Sequence, residues 1–133
     1  MAQTITVSQK ELQRVASLAY EGKTLKIMLC SNTASLTAQS SVTSWQGVEK
    51  SGNGYARASF TIGTGTYDSL AGYYNLPEVL AEFTATGAGY TYDTVVIYIN
   101  GAPYPHSIIV ESPNIVLSAG QQQTYSVTLI SDD

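Results

Sequence analysis

Beyond Gly22 the chain is cut into short β-prone stretches by glycine, proline and asparagine, and that punctuation constrains the fold more than any other feature. Residues 25–30 read as a strand, with Leu25, Ile27 and Leu29 on one face and Lys26 and Met28 on the other. Residues 55–62 follow the turn Ser51-Gly52-Asn53-Gly54, and residues 79–84 follow Pro77. Residues 92–99, rich in β-branched and aromatic side chains, give the strongest strand signal. Asn100-Gly101 is the best hairpin signal, because both residue types tolerate positive φ, and residues 107–111 supply the return strand. Residues 115–117 and 124–130 close the series. In the last of these, Tyr125, Val127 and Leu129 alternate with hydroxyl side chains, a half-buried pattern. Seven or eight such strands predict a mainly β fold, an antiparallel sandwich or barrel.

Before Gly22 the period changes. Ser8 and Glu11 have capping-box spacing, and Leu12, Val15, Ala16 and Ala19 recur as one apolar helical face that Leu18 widens. A helix over residues 8–21 ending at Gly22 is expected, with Leu12, Val15 and Ala19 packed on the chain's own sheet. The full reading is one β domain over residues 1–133: an arm at 1–7, a helix at 8–21 and a sandwich at 24–130. The arm contains Ile5 and Val7, β-prone residues suited to adding a strand to a partner's sheet edge. Residues 32–44, rich in serine and threonine and without a period, read as a surface loop.

Composition narrows the function. Charged residues make up 12% of the chain and the net charge is -4, with six Lys plus Arg. No basic stripe can neutralise phosphates, so nucleic acid is not an expected partner. No apolar run approaches the length of a membrane helix, so no membrane partner is expected either. The first residues lack the basic and apolar regions of a secretory signal. A single cysteine, Cys30, allows no internal disulfide, and the single histidine, His106, leaves no basis for a His-based metal site or triad. No cofactor and no catalytic activity are expected.

The remaining candidates for chemistry have plain readings. Gly63-Thr64-Gly65 and Gly87-Ala88-Gly89 lack the third glycine of a dinucleotide fingerprint and read as turns. Glu49, Asp68, Glu78, Glu82, Asp93 and Glu111 show no pattern that singles out an acid–base pair, and read as solvated or turn-capping carboxylates. His106 reads as a surface or hydrogen-bonded residue, and Cys30 as a small buried hydrophobe. The ten tyrosines are the one excess. Tyrosine pairs an apolar ring with a polar tip, which suits interfaces, and Tyr73, Tyr74, Tyr90, Tyr92 and Tyr104 are candidates for such contacts. Aromatic platforms also bind sugars, so a carbohydrate-binding β-sandwich is an alternative reading.

Four segments together resemble a class of small tailed-bacteriophage virion proteins. They are the strand and hydroxyl-rich loop at 25–32, the Glu49-Lys50-Ser51-Gly52-Asn53-Gly54-Tyr55-Ala56-Arg57 segment, the apolar run within 81–98, and the closing Gly120-Gln121-Gln122-Gln123-Thr124-Tyr125-Ser126-Val127 strand. The similarity spans residues 24–130, and Ser-Gly-x-Gly-Tyr is its most specific part. Gly52, Gly54, Tyr55, Gly101 and Gly120 are the positions where turn geometry is expected to matter. The resemblance implies a non-enzymatic virion structural protein assembled in the host cytoplasm. A capsid cement or decoration protein that bridges major capsid subunits is the leading form, and a tail, baseplate or fibre component the alternative. The implied partners are other virion proteins, the major capsid protein or tail proteins, together with further copies of the chain, a trimer being the expected oligomer.

Overall fold

A computed structural model describes residues 9–68, 70 and 73–131. The order of elements is α1 (Gln9–Ala19), β1 (Thr24–Cys30), α2 (Val42–Gln46), β2 (Ala58–Thr61), β3 (Thr66–Asp68), β4 (Tyr73–Asn75), β5 (Val79–Thr84), β6 (Tyr90–Ile99), β7 (Ser107–Leu117), β8 (Gln122–Val127) and β9 (Ile130–Ser131). All strand pairing is antiparallel. The fold is mainly β and sandwich-like, as the punctuation predicts.

The main sheet runs β2-β1-β6-β7, with β5-β8 and β3-β4-β9 as two smaller sheets. Leu25, Ile27 and Leu29 of β1 and Tyr90, Tyr92, Val95 and Ile97 of β6 form one face of the principal core. Ala81 and Phe83 of β5 and Val127 of β8 face them, with Leu76 and Leu129 closing one end. The alternation in β5 and β8 follows from having one face buried and one in water.

The other face of β1 and β6 is also covered. Met28, Cys30, Val96 and Tyr98 make a second, smaller core with Val42 and Trp45 of α2, and Leu36, Val48 and Ile108 pack around it. The segment expected to be a loop therefore carries a short helix. Ser41 caps it by accepting from the Ser44 amide, and Val42 and Trp45, three residues apart, present one apolar side to the sheet. Burial on both faces explains why β1 shows a nearly continuous apolar run.

Other boundaries move for identifiable reasons. Helix α1 ends at Ala19, and Gly22, with φ 77, turns the chain so that its amide donates to the Ile62 carbonyl at 2.8 Å. Helix α1 packs against β4 and β9. Its expected apolar face is only partly covered, with Leu18 63% exposed and Val15 also exposed. Ser8 and the arm, with Ile5 and Val7, lie outside the described residues. The stretches at 107–111 and 115–117 form one strand, β7, because β6 is long enough to pair with both: Val110 pairs with Thr94 and Ile115 with Tyr92, and residues 111–114 bulge out opposite Asp93. The closing stretch divides into β8 and β9, which belong to different sheets. Asn100-Gly101 does form a turn, closed by the Ala102 amide on the Ile99 carbonyl at 2.9 Å, but only Gly101 takes positive φ, at 90°. That is the pattern of a type II turn rather than the primed hairpin turn expected.

Candidate functional site

The most specific sequence motif folds into a clamp centred on Glu49. Glu49 forms an isolated bridge with Cys30 at the end of β1, and the next amide, of Lys50, donates to the Leu29 carbonyl at 2.9 Å. The chain then reverses through Gly52, Asn53 and Gly54, all with positive φ. The turn is anchored on the β5–β6 connection. The Asn53 side-chain amide donates to the Gly89 carbonyl at 2.7 Å, and the Thr86 amide donates to the Asn53 carbonyl at 2.8 Å.

This reversal brings Tyr55 and Arg57 back onto Glu49. The Tyr55 hydroxyl donates to Oε2 at 2.5 Å and accepts from the Leu29 amide at 3.1 Å. Arg57 grips the same carboxylate with two bonds, Nε to Oε2 at 2.9 Å and Nη2 to Oε1 at 2.5 Å. Its third nitrogen donates to the Tyr98 hydroxyl at 2.8 Å, with the guanidinium over the Tyr98 ring. Tyr55 lies three residues ahead of β2, not at its start. Its ring stacks on Phe83, 6.2 Å between centroids. Burial, and then the carboxylate it donates to, hold its hydroxyl well above the usual tyrosine range. The hydrogen bond to Glu49 does the most to raise Arg57. Both oxygens of this carboxylate are bonded by the protein's own groups, so Glu49 anchors the reversal. Reading the carboxylates as solvated missed it. The available signal was the spacing of Glu49, Tyr55 and Arg57 around a double-glycine turn.

The single thiol and the single imidazole sit in different surroundings. Burial, with Glu49 and Asp93 nearby, pushes the Cys30 thiol up to about 12. His106 is exposed, as a surface residue is expected to be, with Tyr20 edge-on to its ring at 5.8 Å between centroids, and partial desolvation lowers its pKa. Its Nδ1 lies 3.1 Å from the Ser107 hydroxyl. Among the described residues no three His, Cys, Asp or Glu side chains gather to hold a metal ion. None of the described helices is long and apolar enough to cross a membrane.

The tyrosines expected at interfaces divide. Tyr90 and Tyr92 are interior: they belong to the principal core, and Tyr92 bonds the Tyr125 hydroxyl at 2.7 Å. They lie on the face of β6 that packs with Ala81, Phe83 and Val127 of β5 and β8, which a turn-adjacent location in sequence does not reveal. Tyr73 and Tyr74 lie in β4, paired with Asp68 and Tyr67. Tyr104, in the β6–β7 connection, is 59% exposed. Gly101 and Gly120 have positive φ with open space around them.

Exposed apolar side chains occur at Leu18, Leu70 and Leu80, and three more stand on β7. This strand ends the main sheet, and no described strand pairs with its outer edge. Val110 is 69% exposed and Val116 64%, both on the face that α2 covers further in, and Ile109 is exposed on the opposite face. The strand carries one charge, Glu111. Edge strands are normally blunted with lysine or other charges; this one offers three β-branched apolar side chains to solvent. Comparison with protein-family models, with curated proteins and with solved structures finds no match for this chain.

Proposed function

We propose that this chain is a non-enzymatic structural protein of a tailed-phage particle, acting as a capsid cement protein whose β7 surface docks on neighbouring virion subunits. The observation that carries the reading is the exposure of Val110 and Val116 on one face and Ile109 on the other of an edge strand that no described strand pairs on its outer side. Such an edge is a liability for a free monomer and an asset for a subunit that ends in an assembly. The resemblance of residues 24–130 to small virion proteins supplies the class of assembly, with the major capsid protein as partner and the virion as location. Burial of Tyr90 and Tyr92 takes two of the candidate rings away from any sugar-stacking platform, which weighs against the carbohydrate-binding alternative.

The test is to purify particles from the source phage on a density gradient and probe the fractions with an antibody against this chain. Gold-labelled antibody on the intact particles then gives its position. Label distributed over the head supports the cement reading. Label confined to the tail moves the protein to the tail or baseplate class, and a chain found only among free lysate proteins overturns both.

A further inference from the structure

We infer that Asn100 is a site of spontaneous backbone modification, where asparagine converts to aspartate and isoaspartate through a succinimide, and that the fold holds the chain's other Asn-Gly pair, Asn53-Gly54, back from the same reaction. This reactivity is independent of the virion reading. The chemistry is internal to the dipeptide. The Gly101 backbone nitrogen gives its proton to solvent and attacks the Asn100 side-chain carbonyl carbon, Cγ. The new N–Cγ bond closes a five-membered ring. The Cγ–Nδ2 bond breaks, and the side-chain nitrogen takes up a proton and leaves as ammonia. Water then opens the ring at one of its two carbonyls, giving aspartate or isoaspartate. Water is the only co-reactant, and nothing is oxidised or reduced. Asparagine followed by glycine suits this attack, because a residue without Cβ leaves the nitrogen uncrowded. Of the chain's asparagines only Asn53 and Asn100 are followed by glycine.

Both asparagines are exposed, so access of water does not tell them apart. What differs is how the reacting peptide is held. The Asn53 side-chain nitrogen, the leaving group, donates to the Gly89 carbonyl at 2.7 Å. The Asn53 carbonyl accepts from the Thr86 amide at 2.8 Å. That carbonyl and the Gly54 nitrogen share one planar peptide, so the bond also fixes the nitrogen that would attack. Gly54 is hemmed in as well, since a Cβ there would lie 2.9 Å from the Thr86 hydroxyl. Bringing nitrogen and Cγ together at this turn means breaking two bonds and moving Thr86. At Asn100 none of these restraints is present among the described residues. The turn is held by the Ala102 amide on the Ile99 carbonyl at 2.9 Å and the Asn100 amide on the Thr24 carbonyl at 2.8 Å. Neither bond uses the Asn100 side chain, the Asn100 carbonyl or the Gly101 amide. A Cβ on Gly101 would meet nothing within 4 Å, so this peptide has room to swing. Isoaspartate routes the main chain through the side-chain carbon and so lengthens the turn between its two bonds. Either product makes a chain of net charge -4 one unit more negative, at the end of β6.

Incubation of the native full chain in mildly alkaline buffer, which favours loss of the Gly101 amide proton, is the test. Chymotryptic cleavage after Tyr55 and after Tyr98 puts the two sites in different peptides, and a zero-time sample subtracts what digestion itself produces. Mass spectrometry of those peptides, with enzymatic methyl-labelling of isoaspartate, is expected to show Asn100 converting at least about tenfold faster than Asn53, as when one of two otherwise alike sites must first break its hydrogen bonds. In urea, with the fold removed, the two sites should convert at comparable rates. Isoelectric focusing of the intact native chain should show a more acidic species accumulating. Asn100→Gln, whose longer side chain closes a six-membered ring far more slowly, should lack it. Matching native rates at the two sites overturn the inference, as does an Asn100 that stays intact in the folded chain while it converts in urea. A preference for Asn100 that persists undiminished in urea also overturns it, by assigning the difference to flanking residues instead of the fold.

Discussion

Gly52 and Gly89 both have positive φ, yet only one of them is also hemmed in. A Cβ on Gly52 would meet open space, so Gly52→Ala is limited to the left-handed backbone penalty of about 1–2 kcal/mol. A Cβ on Gly89 would lie 2.1 Å from the Leu117 carbonyl oxygen, a backbone atom of β7 that can retreat only by breaking the β6–β7 pairing. Gly89→Ala should therefore cost about 3 kcal/mol or more, with Gly54→Ala between the two because its Cβ meets the Thr86 side chain at 2.9 Å. Urea midpoints of the three variants check the order, and equal losses at Gly52 and Gly89 would mean that the close approach carries no energy. Glu49 gives a second test at this scale. Glu49→Gln keeps the shape but removes the charge that Arg57 and Tyr55 share. Arg57 is about a third exposed, so water compensates part of the loss, and a destabilisation of about 2 kcal/mol is expected rather than the larger cost of a fully buried pair. A urea midpoint equal to that of the parent would show that the clamp is ornamental.

At the scale of elements, what was legible followed from local chemistry. The strand β6 is legible through its β-branched and aromatic content, β5 through an apolar stretch after Pro77, Gly22 through its place after a helical period, and the Ser51–Tyr55 turn through its glycines. What was not legible depended on contacts between distant segments. Nothing local says that Tyr90 and Tyr92 point into a core, because only the facing strands β5 and β8 make that face an interior. Nothing local says that Glu49 is an anchor, because its partners arrive after a reversal held by Thr86 and Gly89. Helix α2 was hidden by its hydroxyl-rich surroundings, although the one tryptophan, three residues after a valine, was a usable sign. This helix yields a direct prediction. Trp45 is wholly buried over Met28, Cys30 and Val96, and its indole N–H donates to the Thr37 carbonyl at 3.1 Å. Its fluorescence should be blue-shifted and resistant to iodide, and Trp45→Ala should cost about 3–5 kcal/mol through the cavity it leaves. Red-shifted, readily quenched emission from the native protein would show that α2 does not sit on the sheet.

Across the whole molecule, the principal core is held by a chain of rings whose hydroxyls must stay protonated. Tyr55 packs edge-on to Tyr90 at 5.8 Å, Tyr90 contacts Tyr92, Phe83 contacts Tyr125, and the Tyr92 and Tyr125 hydroxyls share a bond. In all four tyrosines the pKa is raised, with burial the largest cause. The sign follows from linkage. Near pH 10 an unfolded chain loses these protons while the folded chain keeps them, so stability is present below the ordinary tyrosine pKa of about 10 and is lost as pH rises through and beyond it. The melting temperature should therefore fall steeply from about pH 10 upward. Ultraviolet absorbance at 295 nm should show these core tyrosines ionising together with the loss of far-ultraviolet circular dichroism, as one cooperative alkaline transition. A gradual titration of all ten tyrosines with the β signal intact would mean that the rings lining the sandwich are open to solvent.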